Sequence, residues 1–378
     1  MHAHPQIRIS GVTVHTIRLA VRAIHAHGIG TMGGEAGGSD SIILRLDTDA
    51  GITGWGEAAP WTVFTGSPEA AFAALDTHFR PLLIGADPFQ ITALMRQANQ
   101  TLVHATEAKA AMEMALFDIA GQALGVPVHT LLGGRVRDEI PLSFSLANPD
   151  LDQDLALLPE WLAAGMRLFK VKTGFASHRE DLRRLEKFRA LLPPDAELRV
   201  DYNQGMQPWE AIRRLRDIET FAPSFIEQPV PADQPEAMAA ITRALDTPIM
   251  ADESVFSPAD AIRAVNAGIA DLISIKAQKS GGMIQARAIA AIAEAAGIAC
   301  YGGDMFETGI ACTAGAHMIL ATPNISLGCE FYQPNFYLVE DILADPFLVR
   351  NGKVQLSDRP GLGITVDEDK LKKYQTRR

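Results

Sequence analysis

The feature that most constrains the fold is a series of short apolar segments, each of which ends in a charged residue. These residues are Lys172, Asp201, Glu227, Asp252 and Lys276, and they follow one another in steps of 29, 26, 25 and 24 residues. One strand, one helix and two loops fit in a repeat of that length. Strands at nearly constant spacing with charged ends predict a parallel β/α barrel, whose catalytic groups lie at the carboxyl ends of the strands.

Two lysines end the first segment, Leu168-Phe169-Lys170-Val171-Lys172-Thr173. Because side chains alternate along a strand, Lys170 and Lys172 share a face. Two adjacent ammonium groups repel, so each is expected to lower the pKa of the other. A lysine with a lowered pKa serves as an acid or base near neutral pH. The alternative is a pair of surface lysines with solvated charges; the acidic strand ends that follow favour the catalytic interpretation.

Three consecutive strands end in carboxylates, those of Asp201, Glu227 and Asp252. Consecutive strand ends are neighbours at the mouth of a barrel, where three like charges repel one another unless a cation joins them. Oxygen ligands are typical of Mg²⁺, with Mn²⁺ acceptable. A single acid after a strand is commonly the N-cap of the next helix. Three in phase, with a lysine on either side, favour a metal site instead.

The residues around these acids add a geometry for catalysis. Asn203 follows the first carboxylate by two residues and so shares its face, which suits a polar role beside the metal or the substrate. Asp252 and Glu253 point in opposite directions, and strand phase alone does not show which of them faces the metal. Lys276 is expected across the mouth from Lys172. A substrate carboxylate on the metal would then have an ammonium group on each face of its α-carbon, and the divalent ion would stabilise the enolate.

The chain before the barrel has strands followed by helices without alternation, which is typical of an α+β domain. Strands near 7–21, 41–46 and 52–57 precede helices near 67–84, 87–102 and 107–124. The glycine-rich segment 28–38 contains G-x-G-x-x-G but leads into a strand, so we interpret it as a flexible flap and not as a dinucleotide site. Barrel strands are expected near 140–146, 167–172, 197–202, 224–227, 248–252, 271–276, 298–302 and 325–331.

Composition excludes several classes of protein. The net charge of −11 and the absence of a basic run exclude a nucleic-acid partner. No apolar stretch approaches the roughly 18 residues of a membrane span. The N-terminus, Met1-His2-Ala3-His4-Pro5, has no apolar segment of the kind found in secretion signals. Cys300, Cys312 and Cys329 include no Cys-x-x-Cys and are typical of free thiols in a reducing compartment. We therefore expect a cytoplasmic protein.

A set of motifs runs through nearly the whole chain: Lys170-Val171-Lys172, Asp201-Tyr202-Asn203-Gln204, Glu227-Gln228-Pro229, Asp252-Glu253-Ser254, Lys276 with Gly281-Gly282, Tyr301-Gly302-Gly303 to Gly309, Glu330-Phe331-Tyr332 with Glu340-Asp341-Ile342, and Pro360-Gly361-Leu362-Gly363. With these motifs the chain resembles members of the enolase superfamily, in the muconate lactonizing enzyme subgroup of the mandelate racemase/muconate lactonizing enzyme family. The resemblance implies an α/β fold, a modified TIM barrel of the (β/α)7β type with an N-terminal α+β capping domain. The expected domains are a cap of residues 1–134, completed by a C-terminal tail of 358–378, and a catalytic barrel of residues 135–357.

The resemblance also implies roles for individual residues. Lys172 is expected to be the main acid/base, Lys170 its tuner, and Lys276 the group on the opposite face. Candidate substrate contacts are Glu330, which matches a substrate-site acid of the muconate enzymes, and Asn203. The metal, Mg²⁺ or Mn²⁺, is expected on Asp201, Glu227 and Asp252. The family further implies a homo-oligomer, with an octamer as one form.

The subgroup contains cycloisomerases, o-succinylbenzoate synthases, N-acylamino acid racemases and dipeptide epimerases, which share one enolate step. Dipeptide epimerases usually carry Asp-x-Asp at the last strand, where this chain has Gly328-Cys329-Glu330. This favours a muconate cycloisomerase acting in aromatic catabolism. Two features depart from the muconate pattern. Gly205-Met206 stands where the muconate enzymes usually have an aromatic pair after the Asp-x-Asn-Gln motif, and the glycine-rich flap differs from theirs. The alternative is 1,1-proton transfer by a racemase or epimerase of an amino acid derivative, and a third reading is a non-catalytic binding protein.

Several residues have more than one interpretation. Asp304 follows the seventh strand and is a candidate substrate contact, although capping or a structural ion pair is an equal alternative. His25 and His27 could face a substrate from the flap, but loop histidines are more often idle and exposed. Trp55 and Trp61 could line a pocket or pack the capping domain.

Overall fold

The computed structural model describes residues 5–33 and 38–377. Its larger part is a ring of eight parallel strands arranged in chain order. A parallel bridge between Leu142 and Cys329 joins the first strand region to the last and closes the ring. The strands lie close to the predicted positions: Ser143–Leu146, Leu168–Lys172, Glu197–Asp201, Ile226–Glu227, Ile249–Ala251, Leu272–Ile275, Ala299–Gly302 and Ile325–Cys329.

Helices connect each of these strands to the next and cover the outside of the ring. Seven helical connections for eight strands confirm the predicted (β/α)7β barrel. Residues between strands and helices form a continuous apolar core, because the parallel sheet is buried on both faces. The helices are Leu151–Ala163, His178–Leu191, Pro208–Glu219, Pro235–Ala244, Pro258–Ala267, Ala277–Ser280 with Met283–Ala295, and Gly309–Leu320; a π-helix, Gln333–Tyr337, follows the last strand.

The N-terminal part is an antiparallel sheet packed against helices, as an α+β domain requires. The last strand of the chain, Gln375–Arg377, returns to pair with the first strand of this sheet. The predicted helix near 67–84 is interrupted by a π-helical segment, Ala74–Phe79, and Pro81, which has no backbone N–H group, lies at the start of the helix that follows it. The strands are Ile9–Ala20, Gly38–Thr48, Thr53–Ala58 and Gln375–Arg377; the helices are Pro68–Ala73, Ala74–Phe79, Arg80–Leu83, Ile91–Thr101, Thr106–Leu124 and Val128–Leu131.

Thr106–Leu124 is the central helix of the N-terminal part, and residues 107–121 are all buried. Glycines in the strand Thr53–Ala58 allow this helix to lie directly on the sheet. A Cβ atom on Gly56 would stand 1.9 Å from the carbonyl oxygen of Ala111, which is closer than any side chain permits. The helix also carries Glu113, whose carboxylate accepts a hydrogen bond from the backbone N–H of Ile284 at 3.3 Å and so ties the N-terminal part to a barrel helix.

Smaller elements complete the described chain. The flap contains a hairpin, His25–His27 with Gly30–Met32, whereas residues 34–37 of the predicted glycine-rich flap lie outside the described residues. A small sheet and a last helix follow: Ile140–Pro141, Val349–Arg350 and Lys353–Val354, then Glu368–Tyr374. The three cysteines are buried and form no disulfide bond. In the described ranges no helix has both the length and the apolar character needed to cross a bilayer.

Candidate active site

The carboxyl ends of the barrel strands bring the predicted residues together. Lys172 pairs in register with Asp201, and Asp201 pairs in register with Glu227, so the strand ends stand side by side. The strand that precedes Lys276 is the fourth along the ring from that of Lys172, which places the two lysines on opposite sides of an eight-stranded barrel. The sequence predicted this arrangement from spacing alone.

One enclosed cavity lies at this mouth, under the N-terminal flap. Its volume of about 20 Å³ is room for a single water molecule. The predicted acid/base and substrate-contact residues other than Lys170 line it, together with side chains from the flap and from the loop after the seventh strand. The lining residues are His27, Trp61, Phe64, Lys172, Asn203, Lys276, Asp304, Met305, Phe306, Glu330 and Tyr332.

Lys170 lies beneath this cavity, surrounded by carboxylates. Its Nζ atom is 2.6 Å from an oxygen of Glu227, 2.6 Å from one of Glu330 and 3.5 Å from one of Asp201. Burial alone would lower the pKa of Lys170, but the charges of Glu227 and Glu330 raise it well above its usual value. The expectation that Lys170 and Lys172 lower each other's pKa is therefore wrong for Lys170 in this structure, because ion pairs with acids outweigh the repulsion.

Lys172 and Asn203 form a connected pair at one side of the mouth. The ammonium group of Lys172 donates to Asp201 at 2.5 Å and to the amide oxygen of Asn203 at 3.3 Å. The backbone N–H of Asn203 donates to the other oxygen of Asp201 at 2.8 Å. The side-chain NH₂ of Asn203 donates to Glu253 at 3.1 Å. The shared face predicted for Asn203 and the first carboxylate is thus present.

Lys276 lies at the opposite side and is bound to Asp252. Its Nζ atom is 2.6 Å from one oxygen of Asp252, and the Nζ atom of Lys279 is 2.8 Å from the other. Burial would raise the pKa of Asp252, but the two ammonium groups lower it well below its usual value. Sequence reasoning missed Lys279; the signal was its position three residues after Lys276, which places both on one side of the helical turn Ala277–Ser280.

Near the predicted metal ligands, Oε1 of Glu227 and Oε2 of Glu253 are buried and have no hydrogen-bond partner among the described residues. Burial, together with the charge of Asp201, raises the pKa of Glu227 to about 7. Burial and the charge of Asp252 raise that of Glu253 to about 8. The mouth therefore crowds together more carboxyl groups than its lysines pair with, and their oxygens are the ligands that Mg²⁺ and Mn²⁺ prefer. These observations fit a divalent cation.

The three predicted metal ligands are each paired with a lysine here: Asp201 with Lys172, Glu227 with Lys170, and Asp252 with Lys276. Over residues 5–33 and 38–377, no three histidine, cysteine or acidic side chains are gathered as a metal site. The lysines occupy the carboxylate oxygens that a metal would use, since an ammonium group and a metal ion compete for the same lone pairs. The ligand assignment stays a prediction.

The flap differs most from expectation, because its histidines are buried against the mouth. His25 and His27 are 4% and 5% exposed, so the interpretation of idle surface residues is wrong. The ring Nδ1 of His27 lies 3.1 Å from the amide oxygen of Asn203, and the Nδ1 of His25 lies 3.2 Å from the hydroxyl of Tyr332. Burial and the charge of Lys172 lower the pKa of His25 to about 3 and that of His27 well below its usual value. Both shifts favour the neutral imidazole.

Trp55 and Trp61, for which the sequence allows either a pocket role or a packing role, differ in their surroundings. Trp61 lines the cavity and packs edge-to-face against His27, with 4.9 Å between ring centroids. Trp55 instead packs under the guanidinium group of Arg45, at 5.5 Å, within the N-terminal sheet.

Acidic residues from the last two strands complete the far wall. Asp304 lines the cavity, and its Oδ2 atom is buried without a hydrogen-bond partner. Glu307 accepts a hydrogen bond from the backbone N–H of Met305 at 2.6 Å and so holds the loop that carries Asp304. Glu330 accepts from Lys170 and from the hydroxyl of Ser145. Of the candidate substrate contacts, Asp304 is the one with an unpaired oxygen toward the cavity.

Glu57 joins the flap-bearing sheet to this wall and was not singled out by the sequence. Its fully buried carboxylate accepts from the backbone N–H of Thr308 at 2.8 Å, from the hydroxyl of Thr308 at 2.7 Å and from the backbone N–H of Ala311 at 3.0 Å. The hydroxyl of Ser41 donates to it as well, at 2.9 Å. Glu57 therefore fixes the end of the loop that begins at Gly303.

Replacing Glu57 with glutamine is expected to destabilise the protein by about 2 kcal/mol, because an NH₂ group would face backbone donors and leave them unpaired. Chemical unfolding measures this loss, and amide hydrogen exchange should rise in residues 303–308 first. The control is Glu219→Gln, at a partly buried acid that accepts two backbone N–H bonds far from the mouth. Equal exchange in both variants over residues 303–308 would contradict the role assigned to Glu57.

The chain is similar to known proteins over nearly its whole length. Two family models match the chain: the N-terminal domain of mandelate racemase/muconate lactonizing enzyme over residues 25–133, and the enolase C-terminal domain-like model over residues 154–370. A muconate cycloisomerase structure from Azorhizobium caulinodans is 44% identical, with a TM-score of 0.85 and coverage of 98% of this chain and 99% of that one.

Two further relatives show the spread of activities. The muconate lactonizing enzyme from Pseudomonas fluorescens, solved with muconolactone, is 34% identical with a TM-score of 0.93, over 99% of this chain and all of that one. The L-Ala-D/L-Glu epimerase of Bacillus subtilis is 35% identical over 86% of this chain and 89% of the relative. Similarity of this degree thus extends both to a cycloisomerase and to an epimerase.

Proposed function

The chain belongs to the mandelate racemase/muconate lactonizing enzyme family of the enolase superfamily and is an isomerase, and from this premise we propose that it forms a metal-stabilised enolate from a carboxylate substrate. One observation carries the proposal. Lys172 and Lys276 line a single cavity from opposite sides of the barrel, next to the strand ends that carry three acids. Two amines facing each other across one small space can each reach a different face of the same carbon atom.

We propose that Asp201, Glu227 and Asp252 hold the divalent cation, Mg²⁺ or Mn²⁺. When bound, the cation would act as a Lewis acid and stabilise the charge of the enolate. The unpaired oxygen of Glu227 and the excess of carboxylates at the mouth support this assignment. The same carboxylates hold the lysine ammonium groups in this structure, so a lysine freed from its acid becomes a stronger acid and a more available base.

The chain's own residues then have separate tasks. Lys172 and Lys276 move protons at the α-carbon, and Lys170 keeps Glu227 and Glu330 in place through its two ion pairs. Asn203 orients Lys172 by accepting one of its hydrogen bonds. Trp61 and its aromatic neighbours Phe64 and Phe306 exclude water, which strengthens every electrostatic contact in the cavity.

Two reactions fit this machinery. In cycloisomerisation, the distal carboxylate of muconate adds to the alkene and Lys172 protonates the resulting enolate; the similarity to muconate cycloisomerases supports this reaction. In 1,1-proton transfer, one lysine removes the α-proton and the lysine opposite returns a proton to the other face; the opposed lysines support this one. The homo-oligomer and the role in aromatic catabolism stay predictions.

Incubation in D₂O with Mg²⁺ separates the two reactions. Proton transfer at one carbon should place deuterium in recovered substrate, which ¹H NMR detects. Lactonisation should instead remove the ultraviolet absorbance of cis,cis-muconate. A protein that shows neither change with muconate, N-succinyl amino acids, dipeptides or free amino acids would contradict the proposed function.

A further inference from the structure

Two residues that line the cavity carry buried polar atoms without a hydrogen-bond partner among the described residues. They are Nε2 of His27, from the flap, and Oδ2 of Asp304, from the loop after the seventh strand. A buried polar atom without a partner costs free energy, so such atoms mark the positions where a ligand supplies the missing bond. The chemistry of these two atoms therefore describes the group that they await.

The hydrogen-bond network identifies His27 Nε2 as an acceptor. Asn203 donates through its NH₂ group to Glu253 and accepts from Lys172, which fixes the orientation of its amide. The amide oxygen of Asn203 therefore faces Nδ1 of His27 at 3.1 Å, and Nδ1 must carry the proton. Because the ring is neutral, Nε2 is left with a lone pair and no hydrogen. It can accept a hydrogen bond from a ligand but cannot donate one.

Asp304 lies among other carboxyl groups. Burial and the carboxylates of Glu330 and Glu307 raise the pKa of Asp304 well above its usual value. The nearest ammonium groups are committed elsewhere, Lys170 to Glu227 and Glu330, and Lys276 to Asp252. A positive group beside Asp304 would lower this pKa and restore the charged form, whereas a second substrate carboxylate would raise the pKa further.

Several of the residues that line the cavity are aromatic. Trp61 and Phe306 pack edge-to-face around His27, with centroid distances of 4.9 and 5.5 Å to the imidazole. Phe64 already receives the ammonium group of Lys276 at 4.8 Å from its ring centroid. Aromatic faces attract ammonium groups and offer nothing to a carboxylate. The acid, the hydrogen-bond acceptor and the aromatic rings of the lining thus all favour a positively charged group that donates hydrogen bonds.

We propose that the substrate is an α-amino carboxylate with a protonated nitrogen, whose N–H groups are bound by His27 Nε2 and Asp304. This inference rests on the proposed function and selects 1,1-proton transfer as its reaction. One lysine amine takes the α-proton, the opposite ammonium group delivers a proton to the other face, and no other bond changes. Muconate, which has two carboxylates and no N–H donor, fits this end of the cavity poorly.

The test uses the Mg²⁺-loaded full-length protein and measures the loss of the α-hydrogen in D₂O by ¹H NMR. The probes are a panel of L-α-amino acids that includes proline, each paired with its N-acetyl derivative, together with cis,cis-muconate. We expect at least one free amino acid to exchange with a kcat/KM about 100 times that of its N-acetyl derivative, since acylation removes the charge.

Asp304→Asn is expected to lower kcat/KM for the free amino acid by roughly 10-fold to 100-fold, without lowering that of the N-acetyl derivative. A merely structural role of Asp304 would lower both equally. His27→Phe keeps the ring contact with Trp61 and removes the acceptor, so it gives the same comparison if Asp304→Asn fails to fold. Asp195→Asn, at an exposed acid before the strand Glu197–Asp201, serves as the unchanged control.

Exchange confined to N-acetyl derivatives, or conversion of cis,cis-muconate while free amino acids stay inert, would overturn this inference and leave the proposed function intact. Loss of selectivity for the charged amine in Asp304→Asn supports it. A protein that neither exchanges nor converts any of the three kinds of probe would overturn the inference together with the enolate chemistry on which it rests.

Discussion

Lys172→Ala is expected to lower turnover by about 10³-fold to 10⁴-fold, the contribution of a positioned general acid or base. Lys172 is 7% exposed and lies at the mouth, where hydrogen bonds to Asp201 and Asn203 hold its amine in position. Steady-state kinetics with the substrate found by the exchange assay measures the loss. Lys187→Ala, at an exposed lysine on the helix His178–Leu191, should be unaffected.

The Lys276→Ala variant makes this prediction specific to the reaction. If the two lysines serve opposite faces, each single variant loses racemisation but still exchanges the α-hydrogen of the one enantiomer whose proton faces the remaining lysine. Single-turnover exchange of each enantiomer in D₂O shows this directly. Equal loss of exchange for both enantiomers in both variants would contradict the opposed arrangement, and full activity in both would show that neither lysine takes part in the reaction.

Glu227→Gln is expected to weaken Mn²⁺ binding by more than about 100-fold, because removal of a direct ligand should exceed the effect of removing an outer partner. The carboxylate has one oxygen free and the other on Lys170, so the variant loses both a metal ligand and the charge that balances the lysine. Electron paramagnetic resonance of free Mn²⁺ measures the affinity without reference to activity.

Glu294→Gln, at an exposed acid on the helix Met283–Ala295, is the matched control and should bind Mn²⁺ as the parent protein does. Thermal unfolding with and without Mn²⁺ adds a second readout. Added Mn²⁺ should raise the unfolding temperature of the parent and of Glu294→Gln, and it should have little effect on Glu227→Gln. An unchanged affinity in Glu227→Gln would remove this residue from the proposed ligand set.

The barrel and its charged strand ends could be predicted because their signals are local and periodic. Side chains alternate between the two faces of a strand, and a βα unit has a nearly fixed length. The sequence therefore predicts that Lys172, Asp201 and Lys276 lie at one mouth of the barrel. The phase of a single strand, by contrast, could not distinguish Asp252 from Glu253, and the structure shows both beside the mouth with different partners.

Contacts made across the fold were not predictable in this way. His27 is buried because a hairpin of the flap folds over the barrel, an arrangement that depends on packing more than 170 residues away along the chain, at Asn203. The expectation of a lowered pKa for Lys170 is wrong for the same reason. Its neighbour in sequence is a lysine, but its neighbours in space are Glu227 and Glu330, from other strands. Glu57 likewise acquires its role only where the two parts of the chain meet.

The central claim is that three strand-end carboxylates gather one divalent cation between two opposed lysines. Crystals grown with Mn²⁺ and measured near the manganese absorption edge test it most directly. We predict a single strong anomalous peak within bonding distance of Asp201, Glu227 and Asp252, with Lys172 and Lys276 moved off their acids and facing each other across it. An anomalous map without a peak among these three residues, with the lysines still paired as they are here, would contradict the account.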